Sequence, residues 1–375
     1  MKFIVAPDSF KGTLSQIDVA NVMKESIFNK LPTAEVILKP MADGGEGTLD
    51  ALLTATTLSE RITLEITGPI GKKITTNIGI IHHNTVVIEV AAIAGLPLVP
   101  ESKRHPFHTT TYGVGEAIKY ALDQGFKKFI IGLGGSATND GGLGMLQALG
   151  ATMRTKKQQQ AGIFGKDLLE ITNIDLSTLD ERIWDTDIVI ASDVDQPLYG
   201  KNGATYMFGP QKGLKQAELK KVDQAIKNYA GHLERAAQLT HSYTVHRGAG
   251  SAGGLGFALL VINGQLISGA KIVSEMINLE EAIASSDVVF TGEGKSDEQT
   301  LDGKAPGYVA KIAQAHGVPV ILVSGSVSDS HLLDKHFSQI YSLVDDHVSL
   351  QQAMNETKDV LSKKMHHILT AKNTS

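Results

Sequence analysis

Short apolar runs bounded by polar, glycine-rich turns recur along the chain and alternate with apolar positions at helical spacing. The run "KFIVAP" near the N-terminus predicts a strand, and "DSFKGT" behind it predicts a polar loop. Ser15, with Asp18 three residues on, has the spacing of a capping box, and Ile17, Ala20, Met23 and Ile27 would line the buried face of the helix it opens. A second strand, "EVILKP", runs into "MADGGEG", and a helix is expected from about Glu46. Strand, polar loop and helix, twice over, is the signature of an α/β protein.

The last third repeats the pattern: "DVVFTG", the loop "EGKSDEQTLDGKAP", a helix through "GYVAKIAQAHG", strands at "VPVILVSGS" and "IYSLV", and a closing helix from Ser349. The middle differs. Three β-rich runs, "RITLEIT", "KKITTNIGII" and "TVVIEVA", are joined by short turns and read as antiparallel or mixed. They are followed by the strands "FIIGLGG" and "DIVIAS" and a long helix from about Leu214 to Thr240. The expected architecture is two α/β domains. Residues 1–66 and 281–375 would form a discontinuous Rossmann-like domain with a parallel sheet, and residues 67–280 an inserted domain with a mixed sheet. The run "KKQQQ" at 156–160 reads as an exposed turn.

Composition narrows the function classes. At roughly 150 residues per domain, a chain of 375 residues suits about two domains. Hydrophobic content of 42% and a mean hydropathy of -0.02 describe a globular chain rather than a disordered one. With 35 Lys+Arg against 40 Asp+Glu and no long block of either sign, nothing marks a nucleic-acid or polybasic membrane surface, so a small-molecule ligand is expected. The absence of cysteine excludes disulfides, zinc-thiolate sites, iron-sulfur clusters and thiol nucleophiles. Neither a secretion-signal core nor a run of about 20 apolar residues is present, and the expected location is the cytoplasm.

The stretch "FIIGLGGSATNDGGLGML" carries the first chemical signal. Gly132, Gly134 and Ala137 match a dinucleotide-binding turn, but the following "MRTKKQQQ" offers no acidic residue about 20 positions on for a ribose. In "GEGKS", Val289 stands where a Walker A glycine belongs. An anion cradle remains. Gly134, Gly135, Gly141 and Gly142 would let backbone amides approach a ligand, with Ser136, Thr138 and Asn139 as polar donors and Asp140 as proton acceptor or water-mediated metal ligand. The simpler alternative is a tight strand-to-helix connection in which Asp140 only caps the helix.

Other loops mix carboxylates, glycines and lysines in the same way: Asp8, Ser9 and Lys11; Asp43 and Glu46; Asp193 and Asp195; Gly250, Gly253 and Gly254 in "GAGSAGG"; and Glu293, Lys295, Asp297 and Lys304. Each taken singly is more often a solvated turn. Their recurrence suits a phosphate ligand, whose charge glycine amides and lysines offset while carboxylates hold Mg²⁺. The histidine pairs His82-His83 and His366-His367 read as surface, and His105 and His108 lack metal-ligand spacing.

Taken together, "APDSFKGTLS", "ADGGEGT", "GLGGSATNDGGLGMLQALGA", "FGPQKG", "GAGSAGGLG" and "TGEGKSD" resemble the bacterial glycerate kinase family of glyoxylate, glucarate and galactarate breakdown, over nearly the whole chain. The resemblance implies ATP-dependent phosphorylation of D-glycerate, commonly to 2-phosphoglycerate, and a two-domain α/β fold with its site in the cleft between domains. Two positions depart from the family pattern. Lys295 replaces an expected Arg, which keeps the charge but loses the planar fork, and His105 replaces an expected Asp.

On this reading Lys11, Lys295 and Lys304 offset the charge of ATP and of the glycerate carboxylate. Asp193 and Asp195 are the first candidates for Mg²⁺ or for the base, with Asp8, Asp43 and Asp297 in reserve. Formation of the 3-phosphate, an NAD-dependent hydroxy-acid dehydrogenase and a non-catalytic sugar-acid binding protein are the alternatives. A homodimer and the domain that holds the adenine are left open.

Overall fold

The computed structural model describes residues 1–56, 58–301, 303–328 and 330–371. Two compact units divide it: Met1–Asp43, Asp50–Thr57 and Ala270–Ser375 form the first, and Gly44–Leu49 with Leu58–Gly269 the second. The chain edge anticipated at residue 66 falls inside the strand Glu60–Thr67, which pairs along its whole length with Lys73–Ile81, and the edge at 280 falls inside the helix Leu279–Ala284. The main stretch of the second unit runs from Leu58 to Gly269, so both limits lie nearer the N-terminus than the expected 67 and 280.

The first unit holds a five-stranded sheet in the order Gln339–Ser342, Val320–Ser324, Val288–Thr291, Lys2–Val5, Glu35–Leu38, and every pairing is parallel. Counted within the unit, this is the doubly wound order 2-1-3-4-5. Val288–Thr291 and Val320–Ser324 are buried at every position, as strands covered on both faces must be. Helices Gln16–Lys30 and Thr357–Ala371 supply one apolar layer through Val19, Met23, Ile27, Leu361 and Met365. Ser15 caps the first of these by accepting from the Asp18 amide at 3.1 Å. The buried face is rotated from the expected one: Ile17 is half-buried, while Gln16 and Val19 face inward.

In such a sheet the topology reverses between the first and third strands, where the loops at their carboxyl ends diverge and leave a crevice. Here those loops are Asp8–Lys11 and Glu293–Lys295. They are laced at their roots, because the Asp8 amide donates to the Gly292 carbonyl at 2.8 Å and the Thr291 hydroxyl to the Ala6 carbonyl at 2.8 Å.

The second unit holds a six-stranded mixed sheet in the order Gln265–Ile267, Asp187–Ala191, Lys128–Gly132, Thr85–Glu89, Lys73–Ile81, Glu60–Thr67. The first four strands run parallel and the last two pairings are antiparallel. Its long helix is Gln216–Ala236, and Leu219, Val222, Ile226, Tyr229 and Leu233 give it one continuous apolar stripe. The closing segment of the chain is two helices, Leu350–Asn355 and Thr357–Ala371, rather than one. Among the described residues no helix is long and apolar enough to cross a membrane.

Candidate active site

A cavity of about 420 Å³ opens at the switch point of the first unit. Its charged wall is made by Asp8, Lys11, Asp43, Glu293, Lys295 and Lys304, three acids and three lysines. Lys11 Nζ lies 3.3 Å from Asp43 Oδ2, Lys295 Nζ 3.2 Å from Asp297 Oδ2, and Lys304 Nζ 3.6 Å from Glu293 Oε2. Asp43 raises the affinity of Lys11 for its proton. Glu293 is fixed by the hydroxyls of Thr300 at 2.6 Å and Ser296 at 3.1 Å, and burial raises its pKa.

Asp8 is the most perturbed of the set. It accepts one hydrogen bond, from the Ser9 amide at 2.6 Å, and burial together with the like charge of Asp43 pushes its carboxyl up to about 7. A carboxylate that titrates near neutrality, in a crevice beside lysines, suits a general base. Five residues scattered over the sequence, Asp8, Lys11, Asp43, Glu293 and Lys295, are thus brought together by the parallel sheet.

The glycine turns of the second unit have another use. The Gly141 amide donates to the Gly253 carbonyl at 2.9 Å, so "NDGG" and "GAGSAGG" pack backbone against backbone. A Cβ on Gly253 would strike the Thr138 carbonyl, one on Gly254 the Gly141 backbone at 2.8 Å, and one on Gly250 the Pro197 carbonyl. Gly142 faces Ala258, and Gly141 faces the ring of Tyr229. A Cβ on Gly132 would meet the Gly44 carbonyl and one on Gly134 the Gly45 backbone, so these two glycines also serve close backbone packing.

Asp140 is fully buried and spends its carboxylate on the Thr111 amide and hydroxyl, both at 2.8 Å, and on the Gly142 and Gly144 amides at 3.2 and 3.4 Å. The amides expected to meet a ligand at this helix start are therefore engaged within the protein, and Asp140 is a brace. Asn139 donates to the Thr205 hydroxyl at 3.0 Å, and Thr138 to the Ala252 carbonyl at 3.4 Å. Only Gly134 and Gly135 reach the surface of this turn.

Asp193 and Asp195 also have protein partners. The Asp193 carboxylate accepts from the Gly269 amide at 2.9 Å, and exposed Asp195 pairs with Arg247. Asp297 pairs with Lys295 and Lys304, and among the described residues no group of three or more His, Asp or Glu that could hold a metal ion is found. His105 accounts for its own departure from the family pattern: its Nδ1 accepts from the Phe107 amide at 3.2 Å, the capping bond an Asp would make. His82, His83, His108, His366 and His367 are exposed.

Sequence reasoning missed Lys212, which is 3% exposed, in "FGPQKG". Its ammonium donates to Ser136 Oγ at 2.9 Å and to the Thr138 carbonyl at 2.7 Å, and burial pulls its pKa down to about 7. A lysine flanked by Gly and Pro reads as a surface turn, and no local pattern announces its burial. Glu89, missed as well, accepts from the amides of Gly47 at 3.1 Å and Leu49 at 3.0 Å at the start of the helix Thr48–Ala55.

Comparison with known proteins bears on both regions. The model of the glycerate kinase family matches residues 3–372. The chain is 42% identical over 372 residues to a glycerate kinase of Bacillus subtilis, covering 98% of this chain and 97% of the relative. It is 42% identical over 351 residues to a glycerate 2-kinase of Escherichia coli K12, covering 92% and 91%. The crystal structure of a Salmonella typhimurium LT2 protein assigned as glycerate kinase 2 superposes with a TM-score of 0.86 at 37% identity, over 100% of this chain and 98% of that one.

Proposed function

This chain belongs to the glycerate kinase family, phosphotransferases with an alcohol acceptor, and we propose that it transfers the γ-phosphoryl group of ATP to the 2-hydroxyl of D-glycerate in glyoxylate-type carbon metabolism. The observation that carries this reading is Asp8, a buried carboxylate raised to about 7 at the sheet's switch point, within a cavity that also presents Lys11, Lys295 and Lys304. The likeness to a glycerate 2-kinase supports the choice of hydroxyl.

Phosphoryl transfer demands positioning and charge neutralisation more than covalent work by the protein. In the proposed step the glycerate hydroxyl oxygen attacks the γ-phosphorus, its proton passes to Asp8, and the bond to the bridging oxygen breaks to release ADP. The three lysines offset phosphate and carboxylate charge, and the ion pairs that hold them aim their ammonium groups before substrate arrives. Mg²⁺ suits the same wall. Among the described residues no group of three or more His, Asp or Glu forms a ready cage, and Mg²⁺ usually takes one or two carboxylates and fills its shell with phosphate oxygens and water. Asp43, whose charge already burdens Asp8, is the proposed carboxylate, and the ion when bound supplies neutralisation of the phosphate oxygens.

Phosphorus NMR of the purified protein with ATP, Mg²⁺ and D-glycerate, with L-glycerate and lactate as controls, tests the proposal. The expected result is the phosphomonoester of 2-phosphoglycerate with D-glycerate alone. A 3-phosphate product would overturn the regiochemistry, and unchanged ATP from folded protein would overturn the activity.

A further inference from the structure

The cavity of the first unit also has a lining of different chemistry: besides the acids and lysines it is bounded by Leu343, Leu350, Ala353 and Met354. Leu343 and Ala353 belong to the buried core. Leu350 and Met354 do not: they are 59% and 50% exposed, among the few large apolar side chains left to water. They stand four residues apart on the helix Leu350–Asn355 and so share one face. That helix is well anchored, with Ser349 accepting from the Gln352 amide at 3.2 Å and the Thr357 hydroxyl donating to the Ala353 carbonyl at 2.6 Å. An anchored apolar pair lining the same cavity as convergent charged groups is the make-up of a small-molecule pocket.

The two kinds of lining select a ligand with an anionic part and an apolar part. Glycerate, with three carbons each bearing oxygen, has no apolar face to cover Leu350 and Met354. A purine nucleotide has both parts. We infer that this cavity is the nucleotide site, with the purine ring seated on Leu350 and Met354 and the phosphates directed to Lys11, Lys295 and Lys304. The inference rests on the kinase reading for the presence of ATP, and it adds which unit holds the base and by what contact. Phe10 also lines the cavity but is buried in the core, which leaves the aliphatic pair as its exposed apolar surface.

Calorimetric titration of the full chain with ADP, and separately with inorganic pyrophosphate, tests the assignment. In the double variant Leu350→Ser/Met354→Ser, ADP affinity should fall at least about tenfold while pyrophosphate affinity stays, because pyrophosphate has no base to lose. Met354→Leu should keep the affinity for ADP. Circular dichroism and thermal melts establish that the variants are folded, as substitutions at exposed positions should be. Unchanged ADP affinity in the folded double variant would overturn the site, and so would an equal loss for both ligands. A wild-type protein that binds ADP with this variant pattern but never phosphorylates glycerate would refute the kinase activity and leave the nucleotide site standing. Normal phosphorylation with ADP affinity untouched by the variants would do the reverse.

Discussion

The switch-point cavity of the first unit and the glycine turns of the second are built from opposite materials. The cavity keeps a raised carboxylate, three lysines and two bare aliphatic side chains beside open space. The turns are richer in glycine and hydroxyls, yet most of their glycines are used for close packing within the protein and their acid by four internal donors. Glycine reports that something approaches the backbone, without saying whether it is a ligand or another strand of the same protein. Charge that the fold leaves in a crevice is the better sign of chemistry.

The largest expected effect that sharpens this contrast is at Asp8. Asp8→Asn keeps the acceptor for the Ser9 amide but removes the base, so kcat should fall about 10²- to 10³-fold in steady-state assays. The same variant should be more stable at pH 8. The Asp8 carboxyl is raised in the folded state from 3.8 to about 7, so its stabilising contribution is complete below the unfolded value and is lost as pH rises through 7. The melting temperature of Asp8→Asn should therefore exceed that of wild type by several degrees at pH 8, with the gap closing toward pH 4. Wild-type kcat/KM should fall as pH drops below about 7, when Asp8 takes up its proton.

Gly253→Ala should act on the other side of the comparison. Its φ of +67° and the collision with the Thr138 carbonyl predict about 2–5 kcal/mol of lost stability in chemical denaturation. Activity lost without lost stability would mean that the turn is a ligand cradle after all. Lys11→Ala, at an exposed side chain, should raise the KM for ATP about tenfold with little change in melting temperature.

The smallest effect is expected at Asp193. Asn in its place can still accept from the Gly269 amide, so Asp193→Asn should change kcat by less than about threefold. A loss of about a hundredfold would restore Asp193 as base or metal ligand and break the contrast.

Much of the fold was legible because periodicity is local. The strands at Lys2–Val5, Asp187–Ala191 and Val288–Thr291, the cap at Ser15 and the antiparallel run from Glu60 to Glu89 each follow from the spacing of apolar residues over a few positions. The family resemblance rested on motifs of the same kind, contiguous in the chain. Residues of the site were named one by one for the same reason, since Asp, Lys and Gly at strand ends are visible in isolation.

Which of them act together was decided by the tertiary structure. Asp8 and Glu293 are remote in the chain and become neighbours only because the third strand of the parallel sheet pairs with the first. The fate of Gly253 depends on a turn more than a hundred residues away, and the burial of Lys212 on Ser136 and Thr138. Burial and charge proximity set a pKa, and both are properties of packing. Sequence therefore determined the elements and the inventory of chemical groups, while the fold determined which groups keep their reactivity and which are spent on holding the protein together.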